Sequence, residues 1–246
     1  MSHWPPPQEN PPAPPGVRDG RDDRSQRSDP DRGAARPRSV AIRAMVLGWC
    51  LWLLGAWAGS LWIDSPVPAT RWMLFCSLAG LTALWPTVRL SLDGMFGGSA
   101  VSVILEWLAL MSIFQIVVWP LGITAGWPIV QTLWLDLAIA SWSLLTALLV
   151  AIGSQSRDGA HRFVAVVLCL LLLLAEPLIV ALAGVSLAPG DWVMRVSPIQ
   201  TVWALTDRPV DWSSGPWRTN IATVAVAVVV AWSLFGVLVG RTPRRS

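Results

Sequence analysis

FVAVVLCLLLLLAEPLIVALAGVSL, Phe163 to Leu187, decides the class of this protein. The run is 25 residues long and contains one charged side chain, Glu176. A helix needs about 20 mainly apolar residues to cross the hydrocarbon of a bilayer. Five further runs of this kind lie around it: Val40 to Ile63, Arg71 to Val88, Val101 to Leu121, Ile129 to Ile152 and Ile221 to Val239. The second is the weakest, being short and interrupted by Pro86. The expected fold is all-α: a polytopic integral membrane protein with six transmembrane helices over residues 40–240.

Composition points the same way. Hydrophobic residues make up 54% of the chain and charged residues 13%, about half the charged fraction of a soluble domain. The N-terminal 39 residues are different material, rich in Pro, Arg and Asp. They bury too little apolar surface to offset ordering entropy, so residues 1–39 are expected to be a disordered tail. The apolar run after the tail is full span length without a small-residue cleavage pattern, unlike a secretory signal. Residues 241–246 form a short basic tail.

Arginine sets the expected orientation, since the chain contains no Lys. With both termini in the cytoplasm of a cell-membrane protein, Arg36, Arg38, Arg43, Arg89, Arg157, Arg162, Arg241, Arg244 and Arg245 all fall inside. The first two outer loops offer only Arg71, at a span edge. In the outer loop 188–220, Arg195, Arg208 and Arg218 are diluted by Asp191, Asp207 and Asp211. This is the positive-inside pattern. Of the 17 Trp, nine fall at or beyond the expected outer ends, among them Trp62, Trp72, Trp119, Trp134 and Trp203. An indole suits the headgroup level, with its ring in apolar surroundings and its N–H in water. The net charge of +3 is accounted for by topology, and no nucleic-acid motif accompanies it.

Enzyme signatures are missing. There is no His-Glu-x-x-His, no Gly-x-Ser-x-Gly elbow, and no phosphate-binding loop with its Lys. The Gly-rich stretch Met95 to Ala100 reads as a turn. Cys50, Cys76 and Cys169 are isolated within spans and read as packing residues, with neither a disulfide nor a metal site expected. His3 and His161 are too far apart to form a metal pair.

The intramembrane polar candidates are Gln115, Asp136 and Glu176. An acidic group deep in a bilayer costs a few kcal/mol, so it faces another helix or water. Asp136 and Glu176 are expected either to bond Gln115, Gln131, Ser141 or Ser143 as interhelical glue, or to relay protons. Pro177 removes a backbone hydrogen bond and is expected to kink the fifth span. Glu106, about one turn from a span end, is expected to reach the interface. In the outer loop, Ser197-Pro198 starts a short helix to about Thr206: Ser caps the first turn and Pro suits the first helical position. Ile199, Val202, Trp203 and Leu205 fall on roughly one side of it.

Six spans with both termini inside, and "SPIQTVWAL" at Ser197–Leu205 before the last span, resemble the permease subunits of type 2 ABC exporters. The polar turn "GSQSRDGAHR" at 153–162 before a Leu-rich fifth span is similar in style. The resemblance implies a substrate path through the membrane, a homodimer or heterodimer, and a partner ATP-binding subunit that alone carries ATP and Mg. It also makes Ser197, Pro198 and Trp203 part of a helix that helps close an outer gate. The alternative for that helix is an anchor in the bilayer surface. The family's coupling helix between the second and third spans has little room here, because only "RLSLDGMFGGSA", Arg89 to Ala100, connects them. Its usual interfacial helix before the first span has no clear counterpart in the Pro-rich tail. Two other readings stay open: a non-transporting scaffold or accessory subunit, and a proton-coupled secondary transporter.

Overall fold

The computed structural model describes residues 30–92, 99–156, 159–183, 197–206 and 216–241, except for the side chains of 30–39, 41, 175–177, 179–183, 216–217 and 239–241. Two units are distinguished, Met1–Pro37 and Arg38–Ser246, and the fold below is that of the second. All of its regular structure among the described residues is helical. In chain order the elements are α1 (Pro30–Ser60), α2 (Pro66–Ala79), a π-helical turn (Gly80–Leu84), α3 (Trp85–Ser91) and α4 (Ala100–Thr124). They continue with α5 (Ile129–Gln155), α6 (Gly159–Ala183), α7 (Pro198–Thr206) and α8 (Pro216–Arg241).

Among the described residues, five helices are long and apolar enough to cross a membrane: Ile42–Ser60, Pro66–Ser91, Ala100–Thr124, Ile129–Gln155 and Arg218–Leu238. The backbone of α6 is helical over 25 residues, and its described apolar stretch is Gly159–Leu174. At the N-terminus α1 begins at Pro30, inside the stretch expected to be disordered; residues 1–29 lie outside the described residues.

The second span is stronger than its sequence suggests. It is helical from Pro66 to Ser91, 26 residues, rather than from Arg71 to Val88. In a regular helix the ring of Pro86 would collide with the carbonyl four residues earlier. Here the chain widens into the π turn just before it, the Trp85 N–H reaching back to Gly80 O, and helix resumes through the proline.

The same turn receives α1. Trp49 and Trp52 lie across Gly80, and the Trp52 Nε1–H donates to Cys76 O at 2.8 Å. A Cβ on Gly80 would overlap Trp49 Cζ3 and stand 2.7 Å from Trp52 Nε1. Only a residue without a side chain lets the two helices approach this closely.

The α4–α5 hairpin is closed by its backbone. Gly126 has φ +68°, the Trp127 N–H bonds Gly122 O at 2.9 Å and the Gly126 N–H bonds Ile123 O at 3.1 Å. That is a Schellman closure, in which a glycine takes the left-handed position. At the other end of α4, Ser99 Oγ accepts from the Ser102 N–H at 3.2 Å, an N-cap.

Helix α5 is the hub. It packs on α3, α4, α6, α7, α8 and the π turn, and Leu135, Ile139, Val150 and Ala151 along it are fully buried. Several of its hydroxyls bond within the helix: Ser141 Oγ donates to Leu137 O and Thr146 Oγ1 to Ser143 O, both at 2.7 Å. Helix α8 joins it through the Trp232 Nε1–H, which donates to Leu144 O at 3.0 Å.

Gly80→Ala should lower the thermal stability of the purified protein in detergent by about 1–3 kcal/mol, the usual cost of overpacking. Gly48→Ala, with nothing within 4 Å of the added methyl, should leave it unchanged.

Candidate functional site

Polar side chains gather at three places among the transmembrane helices. The first joins α3 to α4. Arg89 Nε donates to Glu106 Oε2 at 2.7 Å, with the two side chains 0% and 4% exposed. The expectation for Glu106 was an interfacial contact, and this is a correction: the carboxylate is buried against a guanidinium. Arg89, counted among the cytoplasmic arginines, is the other half of the pair. The two are 17 residues apart in sequence and bridge α3 to α4. Neither charge could stay in a low-dielectric interior alone, since an unpaired buried ion costs several kcal/mol.

The second place lies between α4 and α5. Gln115 Nε2 donates to Asp136 Oδ1 at 2.7 Å, and Gln115 Oε1 accepts from the Trp119 Nε1–H at 2.9 Å. Two turns along the same seam, the Trp107 Nε1–H donates to Ser143 Oγ at 2.9 Å. Of the partners considered for Asp136, Gln115 is the one used. Ser141 bonds its own helix, Ser143 serves Trp107, and Gln131 is engaged elsewhere. The side chains of Glu176 and Pro177, on α6, lie outside the described residues, and so do the expected kink and any role for that carboxyl.

The third place is built around α7, which spans Pro198–Thr206, the range expected from Ser197-Pro198. Ser197 Oγ accepts from the Gln200 N–H at 3.2 Å, and Ser197 O accepts from the Thr201 N–H at 3.1 Å. The C-terminal carbonyls are held by side chains of other helices. Arg71 of α2 donates through Nη2 to Thr206 O at 3.0 Å and through Nε to Thr206 Oγ1 at 3.1 Å. Gln131 of α5, fully buried, donates through Nε2 to Leu205 O. A cation at a helix C-terminus also opposes the negative end of the helix dipole.

The buried stripe of α7 differs from the apolar one. Pro198, Thr201, Val202, Leu205 and Thr206 are buried, whereas Trp203 is 46% exposed. Two threonines can face inward because their hydroxyls bond the backbone one turn back, Thr201 Oγ1 to Ser197 O and Thr206 Oγ1 to Val202 O, both at 2.9 Å. Trp203 lies at the edge of the interface, stacked on Phe75 with ring centroids 6.0 Å apart. The Arg71 guanidinium sits 4.6 Å from the Trp203 ring centroid, a cation–π distance. Nearby, Arg218 of α8 lies 5.4 Å from the Trp134 ring of α5. Helix α7 is thus wedged against α2, α5 and α6.

Among the described residues no group of three His, Cys, Asp or Glu side chains is arranged to hold a metal. Among the described residues these three places hold a buried ion pair, an amide–carboxyl bond, and a capped helix with aromatic and cationic groups at its edge. No protein-family model matches the chain, and no curated protein and no solved structure matches it either.

Sequence reasoning missed Arg71 and Arg89 as partners, and it named Gln131 as a partner for the carboxyls rather than for the end of α7. Their signal was available in part. An arginine or glutamine inside the first or last turns of an apolar run is costly unless paired, but which residue pairs with it depends on helix packing.

Arg89→Leu should destabilise the protein by about 3–5 kcal/mol, since it strands the buried Glu106 carboxylate. Adding Glu106→Leu should restore most of that loss. Thermal unfolding of the single and double variants in detergent checks both; additive losses would mean that the pair does not act as a unit.

Proposed function

We propose that this chain is the membrane-spanning, permease-like subunit of an exporter, with ATP and Mg bound and hydrolysed on a separate chain. In this reading α6 is a sixth span, both termini face the cytoplasm of a cell-membrane protein, and α7 lies in the outer leaflet. The chain is not itself an enzyme; it provides the path.

The observation that carries the proposal is the seat of α7. A nine-residue helix just before the last span is held at its C-terminus by Arg71 and Gln131 and packed on three other helices. A surface anchor needs only an apolar face toward lipid. Here Val202 and Leu205 are buried against the protein together with Thr201 and Thr206, so displacing α7 would uncover α2 and α5 together. That is the property of a gate element.

A second reading, a non-transporting accessory subunit, draws support from the connection between α3 and α4. Only residues 92–99 separate the two helices, about two helical turns at most, which leaves an ATPase little to dock on.

Purification in mild detergent separates the two readings: an ATP-binding subunit should co-purify with an exporter subunit and be missing from an accessory protein. Gln131→Leu, which leaves Leu205 O unpaired, should impair export in cells while the protein still inserts. Loss of insertion instead would make α7 purely structural.

A further inference from the structure

We propose that the lipid-facing side of α4 is a homodimer interface, closed by Gln115 and Asp136 across a two-fold axis. This inference does not rest on the transport reading.

Along α4, Val101, Leu105, Leu108, Ser112, Gln115 and Trp119 recur at alternating spacings of four and three residues. All are exposed except Gln115, which is half-buried. A three–four repeat is the seam by which helices pack side by side at shallow angles in membranes as in coiled coils. Exposed faces on α1 and α8 also carry large apolar residues, as any helix facing lipid does. The α4 face differs by what stands within it. Gln115 lies about 13 Å from the C-terminal end of α4, and Asp136 about 10 Å from the start of α5, at 1.5 Å per residue. Both depths fall inside a hydrocarbon core about 30 Å thick.

The hydrogen-bond inventory of this pair is incomplete. An amide NH2 has two donors and a carboxyl has two oxygens. Among the described residues, Gln115 Nε2 makes one bond, to Asp136 Oδ1, and Asp136 Oδ2 makes none. One donor and one acceptor therefore remain on an otherwise apolar face, flanked by exposed Ile116, Leu133 and Leu137. Hydrocarbon supplies no partner for either.

A lipid tail cannot satisfy them, but a second copy can. Copies inserted the same way round are related by an axis along the membrane normal, so α4 meets its mate parallel and residue 115 meets residue 115. Under that symmetry each remaining donor faces an acceptor of the other dyad, and two equivalent bonds form. Ser112, one turn earlier, is small and keeps its hydroxyl on Leu108 O at 2.8 Å, which allows the close approach that membrane helix pairs favour. A single hydrogen-bonding residue in such a seam also fixes register, as a polar core position does in coiled coils.

The test uses the full chain in liposomes, with Cys50, Cys76 and Cys169 replaced by Ala. Leu105→Cys, Leu108→Cys and Ser112→Cys should each form a disulfide-linked dimer under mild oxidation. Ile113→Cys, off the seam, and Val226→Cys, on the lipid face of α8, should not. By energy transfer between labelled copies, Gln115→Leu should weaken association about tenfold, roughly threefold for each of two bonds. Ser112→Phe should weaken it by obstruction with the dyad intact, and covers the case in which Gln115→Leu fails to fold. Monomers at every protein-to-lipid ratio, or cross-links centred on Val226, would each overturn the proposal.

Discussion

A bilayer core offers no hydrogen bonds, and this structure depends on that deficit. In water an unpaired hydroxyl, amide or carboxyl is hydrated at little cost; in hydrocarbon it must find a protein partner or the segment does not stay there. Burial of apolar surface does not hold these helices together, since lipid tails are as apolar as leucine side chains. What selects the arrangement is close packing together with the pairing of the few polar groups. Arg89 finds Glu106, Asp136 finds Gln115, and Gln131 and Arg71 find the carbonyls at the end of α7. Each bond ties together two helices, consecutive ones for the first two pairs and distant ones for the contacts to α7.

Helix α5 shows how few such bonds are needed. It carries Gln131 near one end, Asp136 a turn and a half later and Ser143 two turns further on. These meet α7, α4 and α4 again, while Leu144 O meets α8. Between and beyond them small and apolar residues are buried, among them Ala138, Ile139 and Ala147, while Leu133 and Leu137 are exposed. The hub is thus a packed rod with polar contacts spaced along it, which is how a bundle can be specific without a hydrophobic driving force. The π turn at Gly80–Leu84 plays a related part for α1. It keeps the helix continuous through Pro86 and presents a bare glycine to Trp49 and Trp52.

Much of the fold was legible because its signals are local. Runs of about 20 apolar residues mark candidate spans, and Ser197-Pro198 marks the start of α7 to the residue. Gln115 could be named as a partner for Asp136 because few hydrogen-bonding side chains are available inside the spans. Other features were not legible because they are products of packing. Pro86 read as an interruption, since nothing in the sequence announces a π turn. Glu106 read as interfacial, since its distance from the helix end says nothing of an arginine 17 residues earlier being folded against it. The two threonines buried under α7 were not picked out because threonine counts as polar, yet its hydroxyl can be spent on the preceding turn. Arg71 read as a topological charge, while its guanidinium closes the C-terminus of α7.

Helix α7 is a built-in part of the membrane body rather than a loose piece of chain before the last span. Hydrogen–deuterium exchange of the full chain in lipid nanodiscs addresses this directly. The amides of Thr201 to Thr206 have helical partners and sit under Arg71 and Gln131, so they should exchange as slowly as those of the first full turns of α5, and much faster in Gln131→Leu. Exchange of the 201–206 amides within seconds in the unaltered protein, at the rate of an open chain, would contradict it.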